Sequence, residues 1–114
     1  MTKGKIVLLP FPFDDLSTAK VRPAVCLTEP IGEHRHVVVA FITSQIPAVP
    51  LASDVVLLPA DAGFAATGLR VASAIRLHRL LTVTTALLRR QLGELSPGYR
   101  RSVEAKLNAL FDLP

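Results

Sequence analysis

One cysteine, one methionine and no tryptophan in 114 residues exclude several classes of protein at once. A lone thiol, Cys26, cannot form an internal disulfide, so this is not a small domain stapled by bridges. Lying inside an apolar run, it reads as a buried, inert thiol and not as a nucleophile. With no second cysteine the Cys-based zinc motifs are excluded, and the chain carries no Walker loop, dinucleotide fingerprint or HExxH. Long hydrophobic runs are missing too. Half the residues are hydrophobic and the mean hydropathy is +0.43, yet polar or charged residues break every run well short of the ~20 residues a membrane helix needs. The opening MTKGKIVLLPFPFDD has the basic-then-apolar order of a secretion signal. Its two prolines, the aspartates that follow and the lack of a small-residue cleavage site make it a first strand instead, and the expected location is the cytoplasm.

Negative charge is scarce in the second half. Lys plus Arg number 13 against 9 Asp plus Glu, a formal +4. Arg70, Arg76, Arg79, Arg89, Arg90, Arg100 and Arg101 all lie late in the chain, whereas Asp14, Asp15, Glu29, Glu33, Asp54 and Asp61 fall early. A basic half of this kind is either a surface that tracks phosphates or a solvated helix face, and charge alone leaves both open.

The length fits one domain, 1–114, with a single core. Within it, short β-rich runs alternate with turn chemistry. KIVLLP, AVCLT, HVVVAFIT, DVVLLP and ASAIRLHRLLTVT are strand candidates, the last as one strand or two. Between them stand the long loop FPFDDLSTAK, a turn around EPIGEH, the proline-broken SQIPAVPLAS and the glycine-punctuated ADAGFAATG. With no helix between the early strands, a βαβ parallel sheet is excluded. The pattern predicts a mainly β domain, a small, strongly bent antiparallel barrel followed by C-terminal helices. TTALLRRQLG is expected as a short helix, with Thr84 or Thr85 as N-cap and Gly93 as C-cap. A second helix is expected over SPGYRRSVEAKLNALFDL, with Ser96 as N-cap, Pro97 at the first helical position and an apolar stripe of Val103, Leu107, Leu110 and Phe111. That stripe would pack on the barrel or on a second subunit.

Candidate chemistry is sparse. His34 and His36 form an HxH pair in an expected hairpin turn, and without a third ligand nearby they do not make a metal site. Asp14 and Asp15 are adjacent, so on an extended strand they would point to opposite faces; they read as solvated loop acids. His78 sits among arginines as a surface or groove residue. There remains Arg22, set with Pro23 at the mouth of the run AVCL in KVRPAVCL, where packing alone gives a guanidinium no role. Thr43, Ser44 and Gln45 at a strand exit, and Ser73 at a strand start, are polar residues at strand ends that one rim of a small barrel can bring together. A guanidinium, hydroxyls and an amide are rich in donors for phosphate oxygens. Hydroxyls capping backbone at an ordinary strand exit would leave the same ITSQ in the sequence, and spacing alone leaves both open.

Several stretches in order carry a resemblance. KGKIVLLPFPFDDLSTAKVRPAVCL, VVVAFITSQ and GLRVASAIRLHRLLTVTTALLRRQLGELS are similar to the first strand, long loop and Arg-Pro strand entry, the third strand with its Thr-Ser-Gln exit, and the later strands and short helix of the MazF/PemK toxins of type II toxin–antitoxin systems. The resemblance implies an SH3-like barrel, a homodimer, and a sequence-specific endoribonuclease that cleaves single-stranded mRNA by 2′-hydroxyl attack. That cleavage would need no metal or cofactor, and a cognate antitoxin protein would hold the toxin in check. It implies catalytic roles for Arg22 and Thr43, with Ser44, Gln45, Ser73, Arg76 and His78 binding or orienting RNA. The chain departs from the family pattern at Val21, at Ala72 and in the acidic Asp14–Asp15 pair. CcdB-like gyrase poisons share this shape but end in a Trp-Gly-Ile tail, where this chain ends LFDLP. A catalytically silent RNA- or antitoxin-binding module of the same fold is the other alternative.

Overall fold

Alternating side chains decide how this chain folds, because its longer strands bury apolar residues on both sides of the sheet. The protein's structure, a computed structural model, describes residues 1–11 and 20–114; the rest of the expected long loop, with Asp14 and Asp15, lies outside the described residues. The elements run β1 (Lys5–Phe11), β2 (Lys20–Cys26), β3 (His36–Thr43), β4 (Asp54–Leu57), β5 (Ser73–Thr84) and β6 (Arg90–Glu94), followed by α1 (Pro97–Leu110). The strands form one sheet in the order β4-β5-β3-β2-β1-β6, with every neighbouring pair antiparallel. The expected bent barrel is present as an open half-barrel, a six-stranded sheet curled enough to fill both of its faces.

On one face Ile6, Val25, Ala40, Ile42, Val55 and Ile75 pack with Phe64, Leu95 and the helix residues Tyr99 and Val103. On the other, Val7, Leu9, Ala24, Cys26, Val37 and Val39 pack with Val83. Each fully buried Val, Leu or Ile here is worth about 1.5–3 kcal/mol against exposure. The curl has a local cause in β5. Ala40 pairs with Leu80 and the next residue, Phe41, pairs with Arg76, so β5 carries the extra residues Leu77, His78 and Arg79 between these two pairs. Such a bulge bends its strand, and β5 thereby pairs with β3 along two differently directed halves. A second register shift lies in the β1–β6 ladder between Ile6 and Val7.

Two expectations for the C-terminal third change. TTALLRRQLG is not a helix: Thr85–Leu87 make one 3-10 turn and Arg90–Glu94 continue as β6. The Thr84 cap was legible, since its hydroxyl accepts from the Ala86 amide. The turn ends because the chain is drawn to the open edge of β1, where Gln91 and Arg90 pair with Val7 and Leu8. Gly93 is no C-cap. It sits in β6 where a Cβ would collide with the Ala66 carbonyl oxygen, so its missing side chain lets the 3-10 turn Ala65–Thr67 lie directly on the strand. The second helix forms as expected, with the Ser96 hydroxyl accepting from the Tyr99 amide at 3.2 Å and Pro97 in the first turn. Its stripe is buried only at its start, because Val103 is buried while Leu110 and Phe111 are 39% and 55% exposed. No helix among the described residues is long and apolar enough to cross a membrane.

Candidate functional site

The β2–β3 ladder is registered as far as Ala24 opposite Phe41; one residue further, Pro23 has no N–H to offer. Continuing that register by two residues faces Arg22 with Thr43, on the side of the sheet that also carries Leu9, the partner of Arg22 on β1, and Ala74, the partner of Thr43 on β5. Residues directly opposite on adjacent strands share a face. The two residues singled out in the sequence therefore share one face of adjacent strands, although no local motif joins them.

Their surroundings differ from those of a structural pair. Arg22 is exposed and has no ion-pair partner among the described residues. Thr43 is half-buried, and its Oγ1 accepts from the Gln45 amide at 3.0 Å. That local bond fixes the hydroxyl oxygen and leaves the O–H proton to donate outward. Ser44 and Gln45 follow directly and are exposed. Two residues back on the same face, Phe41 lies beneath the Arg79 guanidinium, 5.0 Å from the ring centroid. Sequence reasoning passed over Phe41; the period-2 step from Thr43 along β3 was the signal that could have found it.

The remaining expected site residues are placed differently. Ser73 is buried, its Oγ donates to the Val71 carbonyl at 2.9 Å, and its pairing with Leu57 sets it on the face opposite Arg22 and Thr43. Arg76 shares the Arg22 face, but its Nε donates to Asp54 Oδ1 at 2.7 Å, and that carboxylate is wholly buried. The other Asp54 oxygen accepts from the Leu51 amide, and the Asp54 carbonyl accepts from Lys106 of α1. This cluster ties β4, β5 and the helix together. His78 stands exposed in the β5 bulge.

Elsewhere, His34 and His36 hold their rings 5.9 Å apart at the β2–β3 turn, and among the described residues no group of three or more His, Cys, Asp or Glu is disposed to hold a metal. Cys26 is buried, and burial, helped by the nearby Glu29 charge, pushes its thiol up to about 11; it stays protonated at neutral pH and is a poor nucleophile.

Comparison with known proteins adds the decisive observation. Residues 2–111 match the family of PemK-like, MazF-like toxins of type II toxin–antitoxin systems. The chain belongs to this family. Solved structures share its fold. A Mycobacterium tuberculosis toxin, MazF-mt6, superposes with a TM-score of 0.73 at 24% identity, covering 96% of this chain and 98% of that one. An endoribonuclease in complex with its cognate antitoxin, from a mycobacterial species, gives 0.72 at 16% identity over 100% and 97%. The MazE–MazF structure from Deinococcus radiodurans gives 0.68 at 21% identity over 100% and 97%. Among curated proteins none matches. For this MazF-like toxin the strand mouth of β2 and the exit of β3 are thus parts of a shared fold, and Arg22 and Thr43 are the side chains it presents there.

Proposed function

We propose that this chain is the toxin of a type II toxin–antitoxin system and acts as a metal-independent, sequence-specific endoribonuclease on single-stranded mRNA in the cytoplasm. The observation that carries this reading is that Arg22, exposed and without a carboxylate partner among the described residues, shares one face of adjacent strands with the pre-oriented hydroxyl of Thr43. Charge held this way costs little in water and becomes useful when a polyanion arrives.

The chemistry follows from what these groups can do. The 2′-oxygen of the substrate attacks the adjacent phosphorus and loses its proton to water; the P–O5′ bond breaks, and the 5′-oxygen leaves with a proton. The products are a 2′,3′-cyclic phosphate and a 5′-hydroxyl. Charge grows on the nonbridging oxygens during attack, and a guanidinium gripping them with two N–H groups binds the transition state more tightly than the ground state. Arg22 takes this role and donates a hydrogen bond to the leaving oxygen. Thr43 donates to a nonbridging oxygen and keeps the phosphate in line. Ser44 and Gln45, exposed beside Thr43, orient the strand and contact bases, and His78 lies at the rim. Arg76 and Ser73 act by supporting the sheet beneath the site.

A cognate antitoxin would restrain the enzyme, and the protein would work as a homodimer; the exposed Leu110, Phe111 and Leu113 at the end of the chain supply apolar surface for a second copy. Incubating purified protein with a long single-stranded RNA in EDTA and mapping the new ends tests the activity. Cuts bearing 2′,3′-cyclic phosphate and 5′-hydroxyl ends are expected. Intact RNA, or cleavage only when a divalent metal is added, would overturn the reading.

A further inference from the structure

Phe41 lies on the face that carries Arg22 and Thr43, with the Arg79 guanidinium over its ring, 5.0 Å from the centroid. We infer that this pair is a stacking platform, on which a base of the RNA next to the bond that is cut lies against the outer side of the Arg79 guanidinium, with Phe41 supporting it from below. The inference rests on the endoribonuclease reading for its substrate and goes beyond it in naming what grips a base.

Position is the first argument. Phe41 stands opposite Ala24 on β2 and opposite Arg76 on β5. Arg22 and Ala24 alternate along β2, as Phe41 and Thr43 do along β3, so all four share one face. Phe41 is thus the diagonal neighbour of Arg22, a relation that spans about 7–8 Å. One extended nucleotide covers such a distance. A phosphate seated on Arg22 therefore brings the base of an adjoining nucleotide within reach of Arg79 and Phe41.

The bulge is the second. Leu77 is buried in the core on the opposite face, and in a regular strand Arg79, two residues on, would point the same way. It does not. Arg79 is exposed and lies over Phe41 instead, because the extra residues between the Phe41–Arg76 and Ala40–Leu80 pairs break the alternation. Bulges beside active sites re-aim side chains in this manner. Arg76 also adjoins Phe41, but its Nε is held by Asp54 at 2.7 Å, and the guanidinium over the ring is that of Arg79.

Chemistry is the third. Phe41 is half-buried against the core of its own face, which fixes the ring, and Arg79 adds a flat cationic layer above it. Proteins that bind single-stranded RNA hold splayed-out bases on aromatic rings and on guanidinium planes. Phe64 and Tyr99, by contrast, are buried in the other core, where no base reaches them. An acidic peptide would bond to the N–H edge of the guanidinium and leave its plane without a counterpart, so the observations favour a base.

The test compares the wild type with Arg79→Lys, which keeps the charge and loses the plane, and with Arg79→Ala, which loses both. Circular dichroism, melting and light scattering check fold and oligomeric state. Each protein is titrated by fluorescence anisotropy with a short 2′-O-methyl RNA, which lacks the nucleophile, and with copies in which an abasic residue is walked along the strand. In the wild type one position next to the mapped cut should stand out, where removing the base weakens binding about tenfold. Both variants should bind the intact RNA about tenfold more weakly than the wild type and show no further loss at that abasic position. Equal further loss at that position in wild type and variants would overturn the platform, since Arg79 would then act as a charge on the backbone or through the fold. Arg79→Lys binding every RNA as the wild type does would overturn it too, as would a base-dependent position remote from the cut or a changed oligomeric state in either variant. If Arg79→Ala binds RNA normally but loses affinity for a tryptophan-containing acidic peptide, the pair belongs to a protein partner and the inference is wrong. A wild type that shows the base-dependent loss but cuts no RNA would sink the endoribonuclease reading and leave the platform standing.

Discussion

Arg22 and Arg76 stand on the same face of one sheet, on strands separated only by β3, and they have opposite environments. Arg76 meets a carboxylate buried to 0% side-chain exposure at 2.7 Å, reached across 22 residues of chain. Arg22 meets no carboxylate among the described residues and lies in solvent. The sequence presents the two in similar fashion, each as an arginine beside apolar residues at a strand. A buried charge must be paired, because desolvation costs several kcal/mol. An arginine held at a strand mouth without a partner keeps its full donor set for a ligand. The difference separates an arginine that holds β4 and β5 together from one that is available for chemistry.

The comparison can be broken most directly at Arg22. Arg22→Ala should lower RNA cleavage by about 100-fold or more, as expected for loss of one transition-state donor, and leave the melting temperature unchanged; cleavage at the wild-type rate by a folded variant would remove Arg22 from the site. The mirror experiment is Asp54→Ala. It strands Arg76 and frees the Leu51 amide, and should cost about 2–3 kcal/mol of stability in a denaturant titration, the Arg76 side chain being partly exposed. The folded fraction should keep normal turnover. Reduced turnover at full stability would put Arg76 in the site after all.

Thr43→Val keeps the shape and deletes the hydroxyl. A fall in kcat of about tenfold is expected for one hydrogen bond to a charged oxygen, and an equal effect of Ser44→Ala would show that the two hydroxyls are interchangeable.

The smallest effect concerns pH at the far side of the molecule. The Asp61 carboxyl is held below its ordinary value of 3.8, first by the Leu58 amide and then by the Tyr99 hydroxyl. Tyr99 is itself pushed up to about 12, by burial first and by its bond to Asp61 next. A lowered carboxyl pKa contributes stability above the ordinary value and loses it as pH falls through the folded one. The difference in melting temperature between wild type and Asp61→Asn should therefore be largest near neutrality and shrink as the pH falls below the ordinary carboxyl value of 3.8. A difference independent of pH would show that Asp61 acts through shape and not charge.

How much of this was legible depended on the range of the interaction. β3 is bounded in the sequence as in the fold, because three consecutive valines flanked by turn residues admit little else. Ser96 and Pro97 announced α1 for a similar reason, since capping is satisfied within one turn. TTALLRRQLG misled because its cap was genuine and its continuation was not. Helix and edge strand are both open to such a segment, and the vacant side of β1 decided between them. Arg22 and Thr43 could be named, but Arg76 could not be told from Arg22, and Ser73 could not be assigned to the other face, because register reverses a side chain's direction with every residue.

By itself, the sequence determined that the chain is mainly β, that a capped helix closes it, and which strand ends carry polar side chains. Those features rest on propensity, alternation and capping, and all of these act over a few neighbouring residues. Only the tertiary structure decided the rest: the bulge at Leu77–Arg79 that bends β5, the burial of Asp54 against Arg76, and the placing of Arg22 and Thr43 on one face of neighbouring strands. Each is a contact between strands distant in sequence. Its energy depends on which strands pair and in which register, and that is settled only when the whole apolar pattern of the sheet is buried at once.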